Sequence, residues 1–500
     1  MYDLLIKNAK IIDGTCTTPF FGDIAIKGQE VVEVSRQITA RTDAVLDATG
    51  LIAAPGFVDI QNHSDSYWSL FDDPGLHSML AQGITTILVG NCGASLAPVL
   101  SQQSLLSVRK WHSLSGNNIS WTSFKDYLLT LSKLPLGCNV GSLVGYSTIR
   151  RGLIGDEIRG LEKSELAALC RTLEEALSQG AFGLSSGLAY SHEAIITEIE
   201  LYELAKVVKE YQGLLSIHLR TEDAGILEAL YEVLDIVRQS EVRLKVSHFK
   251  LRGEHPDHLI ADALAELEAV YQKHGGVFMD AYPFNTLWQV LYEYLPAWAI
   301  EGGRTVMLHH ISEPNSRRKI LDYLKSQHAK ISSLVVASTE SGLHIAGKTI
   351  SEIASNLNLS PEETVLKILD TGGGQILVFE RAVSNSVLKE IIAHPQAAIA
   401  SDGASFNIDQ LQKKQDFLVH PRCFNTTTEF LSLVLNENLM PLEQAIYKLT
   451  SLPAHIMGVS NRGELAAGKA ADIVLFDAKK LTTPKGYEYA NAYPDVYDKV

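Results

Sequence analysis

At 500 residues, with hydrophobic residues at 46% and charged residues at 20%, the chain can bury a sizeable core and lacks the polarity that disorder requires. A formal net charge of −15 argues against nucleic acid or an anionic membrane as partner, since both are bound through clustered Lys and Arg. No run of about 18 apolar residues is present, so no membrane span is expected and a cytoplasmic location is the default.

The opening "MYDLLIKNAKIIDG" alternates apolar and polar residues up to a turn at Asp13-Gly14, which reads as a strand and not as a secretory leader. Short alternating segments continue to about residue 50 and predict a small antiparallel sheet. From Leu51 the pattern changes to short apolar runs separated by amphipathic stretches, the signature of strand and helix units around a parallel sheet. Eight runs can be counted: "LIAAPGFVD", "ITTILVGN", "NVGSLVGY", "AFGLSSGLAY", "LLSIHLR", "RLKVSHF", "VFMDAYP" and "AAIASDG". Eight suggest an α/β fold closed as a (β/α)8 TIM-like barrel, clothed by helices such as "EKSELAALCRTLEEALSQG", whose end is marked by Gly180.

The gap between Pro283 and Ala397 is too long for a simple crossover and predicts a small inserted subdomain at about 284–346. Near the end, "RGELAAGKAADIVLFDAKK" returns to strand and Gly-turn chemistry. The expected organisation is a composite β-domain from residues 1–50 and 460–500 around a barrel of 51–459.

In such a barrel, reactive groups gather where the strands run out at the C-terminal face. The eight runs end in His63 and Asp65, Cys92, Tyr146, Tyr190, His218 with Arg220, His248 with Lys250, Tyr282, and Asp402. The five cysteines, Cys16, Cys92, Cys138, Cys170 and Cys423, have no paired spacing, so a disulfide framework is not expected. A free cysteine alone is more often a small buried hydrophobe than a ligand, and a single strand histidine more often a core residue. Together, the Cys92 thiolate and the His218 and His248 imidazoles leave one tetrahedral position open, the pattern of a catalytic zinc site, and they form the expected metal set. Arg220 and Lys250 each follow a metal-set histidine by two residues, where period two would place a cation beside it to receive an anionic substrate. Asp402 before Gly403 reads either as a turn aspartate or as the proton acceptor of the reaction.

Several of these stretches, with "PGFVD", "GITTILVGNCG", "FGLSSGLAY", "SIHLRTE", "VSHFK", "YPF", "SDG", "HPRCF" and "GELAAGKAADIVLFD" in order along nearly the whole chain, resemble the amidohydrolase superfamily and, within it, the N-acyl-D-amino-acid deacylases (D-aminoacylases). The resemblance implies a distorted barrel, a β-sandwich from both chain ends and an insertion after the seventh strand. It implies Cys92, His218 and His248 as metal ligands and Asp402 as the catalytic acid and base. It further implies Lys250, Tyr282 and Arg422 as the grip on a substrate carboxylate and Tyr190 as an active-site tyrosine, which with His63 is expected to steady the oxyanion.

The departures are specific. In "PGFVDIQNHSD" Gln61 stands where the family has the first histidine of His-x-His, so one ligand of a second metal site is missing and one tightly bound zinc ion is expected. Tyr146 replaces a usual histidine, Trp288 lies near the position of a small hydroxyl residue, and "VYDKV" ends about where relatives continue into a last pair of strands. The expected activity is hydrolysis of the linear amide of a small N-acyl amino acid, its D configuration carried by the resemblance alone, and the oligomeric state stays open. Two other readings stand beside it: a cyclic-amide hydrolase related to hydantoinases and dihydropyrimidinases, and a metal-poor binding protein on the same fold.

Overall fold

The computed structural model describes residues 1–108, 119–190, 192–256, 258–300, 303–339, 343–374, 376–413, 417–482 and 492–500. Each of the eight apolar runs carries one barrel strand: β1 (Phe57–Asp59), β2 (Ile84–Val89), β3 (Asn139–Ser142, resuming at Val144–Gly145), β4 (Gly183–Gly187), β5 (Leu214–His218), β6 (Arg243–Val246), β7 (Val277–Ala281) and β8 (Ala397–Ile399). Neighbours pair in parallel from β1 through β8. The ring closes where Asn62, beyond β1, bridges Gly403, beyond β8, and the His63 N–H donates to the Gly403 carbonyl at 2.7 Å.

Period two sorts the strand residues between two cores. On β7, Val277 and Met279 join the apolar layer under the helices, whereas Phe278 joins Val58, Leu88, Leu143 and Ala398 in the cluster capped by helix Ser451–Met457. The helix Lys163–Ser178 shows how the outer layer is specified. A capping box between Glu162 and Glu165 starts it, Leu169, Leu173, Ala176 and Leu177 bury its inner face, and Gly180 at φ +108° turns the chain toward β4.

The inserted unit is larger than the sequence pattern indicated. Its sheet has Ile376–Arg381 as the middle strand, flanked by Thr286–Val290 and Val335–Thr339, so it runs to Arg381 and not to about 346. Helices between these strands bury Ile311, Leu324, Val365 and Leu369 with Leu291 and Val336 in a core of their own. Those amphipathic helices look, in sequence, like any other barrel crossover, which hid the boundary.

Both chain ends build one mixed seven-stranded sheet. Tyr2–Ile11 pairs antiparallel with Phe20–Lys27 and in parallel with Thr42–Asp47 and Ile52–Pro55. Ile473–Phe476 then adds to Ile52–Pro55, and Tyr497–Lys499 adds to it in turn. By hydrogen bonding this is a single wrapped sheet and not the two separate layers of a sandwich; Val31 N–H donates to the Lys469 carbonyl at 2.9 Å, bending it around Ile6, Ile24, Val31 and Leu475. It also takes in Ile52–Pro55, so it reaches past residue 50. No helix among the described residues is long and apolar enough to cross a membrane.

Candidate active site

His63 follows β1, Cys92 follows β2, Tyr190 follows β4, His218 ends β5, His248 and Lys250 follow β6, Tyr282 follows β7 and Asp402 follows β8, so all eight lie at the C-terminal rim. With Arg422, at the start of helix Arg422–Glu437, they line one cavity of about 490 Å³. The insert supplies another wall, including Trp288, Tyr294 and Lys330. Trp288 stacks on Tyr67 with ring centroids 5.3 Å apart, so a broad aromatic surface stands near the position where the resemblance implies a small hydroxyl residue.

The ligand atoms of Cys92, His218 and His248 lie within 4.8 Å of one another, the one such group among the described residues. The Cys92 sulfur is 3.5 Å from His248 Nε2, and the His218 and His248 rings meet edge to face at 4.4 Å. Burial by itself raises the Cys92 thiol, but His248, His218 and His63 outweigh it and hold the sulfur as a thiolate. Burial and Lys250 lower His248, yet Asp402, Cys92 and Glu222 raise it to about 10. A thiolate beside a protonated His248 and a His218 that burial and the His248 charge hold below the ordinary imidazole value is a donor set in which a dication can take the place of the bound proton, so the residues present fit zinc.

Three residues of this centre hold left-handed backbone that side chains rarely adopt: Cys92 at φ 52°, His248 at φ 37° and Asp402 at φ 49°. Such strain persists only where the surroundings enforce it, and it concentrates at functional positions. At His248 the consequence is direct. By strict alternation it would share the outward face of Leu244 and Val246; the kink swings it toward Cys92.

Asp402 is held between two partners, its Oδ2 accepting from Arg422 at 2.7 Å and its Oδ1 3.1 Å from His63 Nε2. Burial alone would raise its carboxyl, but Arg422, His248 and His63 keep it well below the usual carboxylate range. Burial would lower His63, whereas Asp402 and Cys92 bring it up to about 9. The Arg422 Nε–H is buried and has no partner among the described residues. Tyr282 lies between two cations, with the Arg422 guanidinium 4.9 Å and the Lys250 ammonium 5.8 Å from its ring centroid. Tyr190 packs edge-on against His218 at 5.2 Å.

Two expectations fail in place. Arg220 turns away from the cavity, paired with Glu232 at 2.6 Å and donating to the Ala194 carbonyl at 2.6 Å, because period two no longer applies once β5 has ended at His218. Tyr146 is fully buried at the start of helix Tyr146–Ile154, its hydroxyl donating to Glu200, and takes no part in the cavity wall.

Sequence reasoning missed Glu222. Its carboxylate accepts from Lys250 at 2.7 Å and stands 3.0 Å from His248 Nδ1, which leaves Nε2 toward the sulfur. Burial raises it, but Lys250 and His248 hold it far below the usual range. "HLRTED" offers two acids after β5, Glu222 and Asp223, and nothing in the string says which one turns inward.

The amidohydrolase family model matches residues 44–490. An N-acyl-D-aspartate deacylase of Alcaligenes xylosoxydans xylosoxydans is 30% identical over 96% of this chain and 86% of its own length. The chain belongs to the amidohydrolase family, in its D-aminoacylase branch. A D-aminoacylase from the same organism is 28% identical over 98% of this chain and 90% of its own. Among solved structures, an N-acyl-D-glutamate deacylase from Bordetella bronchiseptica, complexed with zinc and a phosphonate inhibitor that mimics the tetrahedral intermediate, superposes with a TM-score of 0.83 at 26% identity, covering 99% of this chain and 94% of that one. The two chains therefore share their α/β fold over nearly their whole length.

Proposed function

We propose that this amidohydrolase cleaves the amide bond of N-acyl-D-amino acids, releasing a carboxylate and a free D-amino acid, with one zinc ion held by Cys92, His218 and His248. The observation that carries the reading is the buried thiolate with two imidazoles beside the clamped Asp402 carboxylate, in a chain similar over its length to deacylases. Zinc bound there supplies Lewis-acid chemistry, polarising a carbonyl and making water more acidic.

The remaining work falls to the chain. Asp402, kept ionised by Arg422 and His63, accepts the proton of the attacking water and passes it to the departing nitrogen. The Tyr190 hydroxyl, with His63, donates to the oxyanion as the carbonyl becomes tetrahedral, worth about 2–4 kcal/mol for a well-placed donor. Arg422 can serve Asp402 and a substrate carboxylate together, since its Nε–H has no acceptor among the described residues. Tyr282 and Lys250 complete that grip, with Lys250 giving one N–H to Glu222 and one to the His248 carbonyl and keeping the third for the ligand.

Purified protein should carry about one zinc per chain, lost in Cys92→Ala, and should hydrolyse N-acetyl-D-amino acids while sparing the L forms. Asp402→Asn should lower kcat by about 10²- to 10⁴-fold with zinc retained. Ring opening of hydantoins without turnover of linear amides would sink the substrate assignment; absence of bound zinc after supplementation would favour the binding-protein reading.

A further inference from the structure

Lys245 sits in the middle of β6, between the outward-packed Leu244 and Val246, and is 0% exposed inside the barrel. Its ammonium meets the Ile60 carbonyl at 2.9 Å, Gln61 Oε1 at 2.5 Å, Asn91 Oδ1 at 3.2 Å and Asp280 Oδ2 at 3.0 Å. On the other side of its amide, Gln61 Nε2 donates to the Cys92 sulfur at 3.2 Å.

The chemistry of these partners fixes which way the amide points. An ammonium only donates, so the Gln61 oxygen must face Lys245 and the NH₂ end must face the thiolate. A glutamine acting as a weak metal ligand would need the reverse, with its oxygen toward the sulfur. The position beside Cys92 therefore presents N–H where a second ion would need a lone pair, and the ammonium behind the amide adds repulsion against another dication. The same N–H satisfies part of the sulfur's charge, as a charge-assisted hydrogen bond does.

We propose that Lys245 and Gln61 act as one unit that closes the second cation position beside Cys92 and sets the centre to take a single metal ion. This rests on the reading of Cys92, His218 and His248 as a metal site. Lys245 is the determinant, because it decides what the neighbouring side chain can offer. With Gln61→His alone, the ammonium would claim one imidazole lone pair and leave an N–H toward the sulfur, so the count would stay at one.

Zinc per chain is measured by elemental analysis after equilibration with excess zinc and removal of loose metal. The expected counts are one for the wild type, one for Gln61→His and two for Gln61→His combined with Lys245→Met, where His63 and Cys92 already flank the new histidine. Two ions in the wild type, two in Gln61→His alone, or no gain in a folded double variant would overturn the proposal while leaving the metal reading intact. No zinc in any protein would remove the metal reading and this one with it. Because Lys245→Met strands Asp280 and can prevent folding, a second measurement uses Gln61→Met in cobalt-loaded protein. Loss of the N–H donor should move the sulfur-to-cobalt charge-transfer band to longer wavelength, and an unmoved band would overturn the assignment.

Discussion

His248 carries two partners that a strand pattern cannot reveal, the Cys92 sulfur on one nitrogen and Glu222 on the other. Carboxylates in Glu222's position orient the ring and make it a better donor, so Glu222→Gln should weaken zinc binding about 10- to 100-fold, read by chelator competition. Lys448 is the opposite kind of buried group, with no function in the cavity. It lies below β8, its ammonium donating to the His394 and Ala397 carbonyls, and burial pushes it down from 10.5 to about 7, against a small opposing pull from Cys16. Between pH 7 and about 10 the unfolded chain then holds a proton that the folded one lacks, so this residue makes stability rise with pH across that window. Below pH 7 its cost is full. Lys448→Met should flatten the rise, seen as a Tm difference between variant and wild type that shrinks from pH 7 to pH 9.

At the scale of elements, the insert matters through Glu380 on its middle strand. This buried carboxylate accepts from Tyr294 at 2.6 Å, Lys330 at 3.0 Å, and Arg252 and Gln289 at 3.3 Å, all four of them in the cavity wall. Arg252 comes from the loop after β6, and the next residue, Gly253, donates to the Ala382 carbonyl at 2.8 Å, so the insert is fastened to the barrel at this point. Glu380→Gln keeps the shape but leaves the two cations without their counter-charge. It should cost about 1–3 kcal/mol in denaturant unfolding and raise KM more than it lowers kcat, since none of the four touches Asp402 or the metal set. The eight barrel strands were readable because buried parallel strands need near-continuous apolar runs. The insert's extent was not, because its strand Ile376–Arg381 pairs with residues from Thr286 onward, a contact across about ninety residues that local pattern does not encode.

For the whole molecule, the terminal sheet is part of the barrel's support. Val474 and Phe476, at 0% exposure, belong to the same cluster as Phe57 of β1, and Phe57 meets Phe476 and Tyr497 edge-on at 6.5 and 6.0 Å. Phe476→Ala should therefore destabilise the entire fold by about 3–5 kcal/mol in a single transition, with no separate melting of the sheet. A distinct early transition in calorimetry would show instead that the two parts unfold independently.

The sequence by itself determined the barrel strands and their order, and it singled out Cys92, His218 and His248 as candidate ligands, since apolar runs and the residue types that end them are local features. Tertiary structure decided the rest. Left-handed backbone at His248 overrode strand alternation, Arg220 was lost to Glu232 beyond the end of β5, and Glu222 was chosen over its neighbour Asp223. Gln61 is the sharpest case. Its place in "PGFVDIQNHSD" marks a missing ligand, but that its amide points N–H at the sulfur follows only from Lys245, 184 residues away. A side-chain amide has two chemically opposite ends, and which one faces a site is set by the partner on the far side.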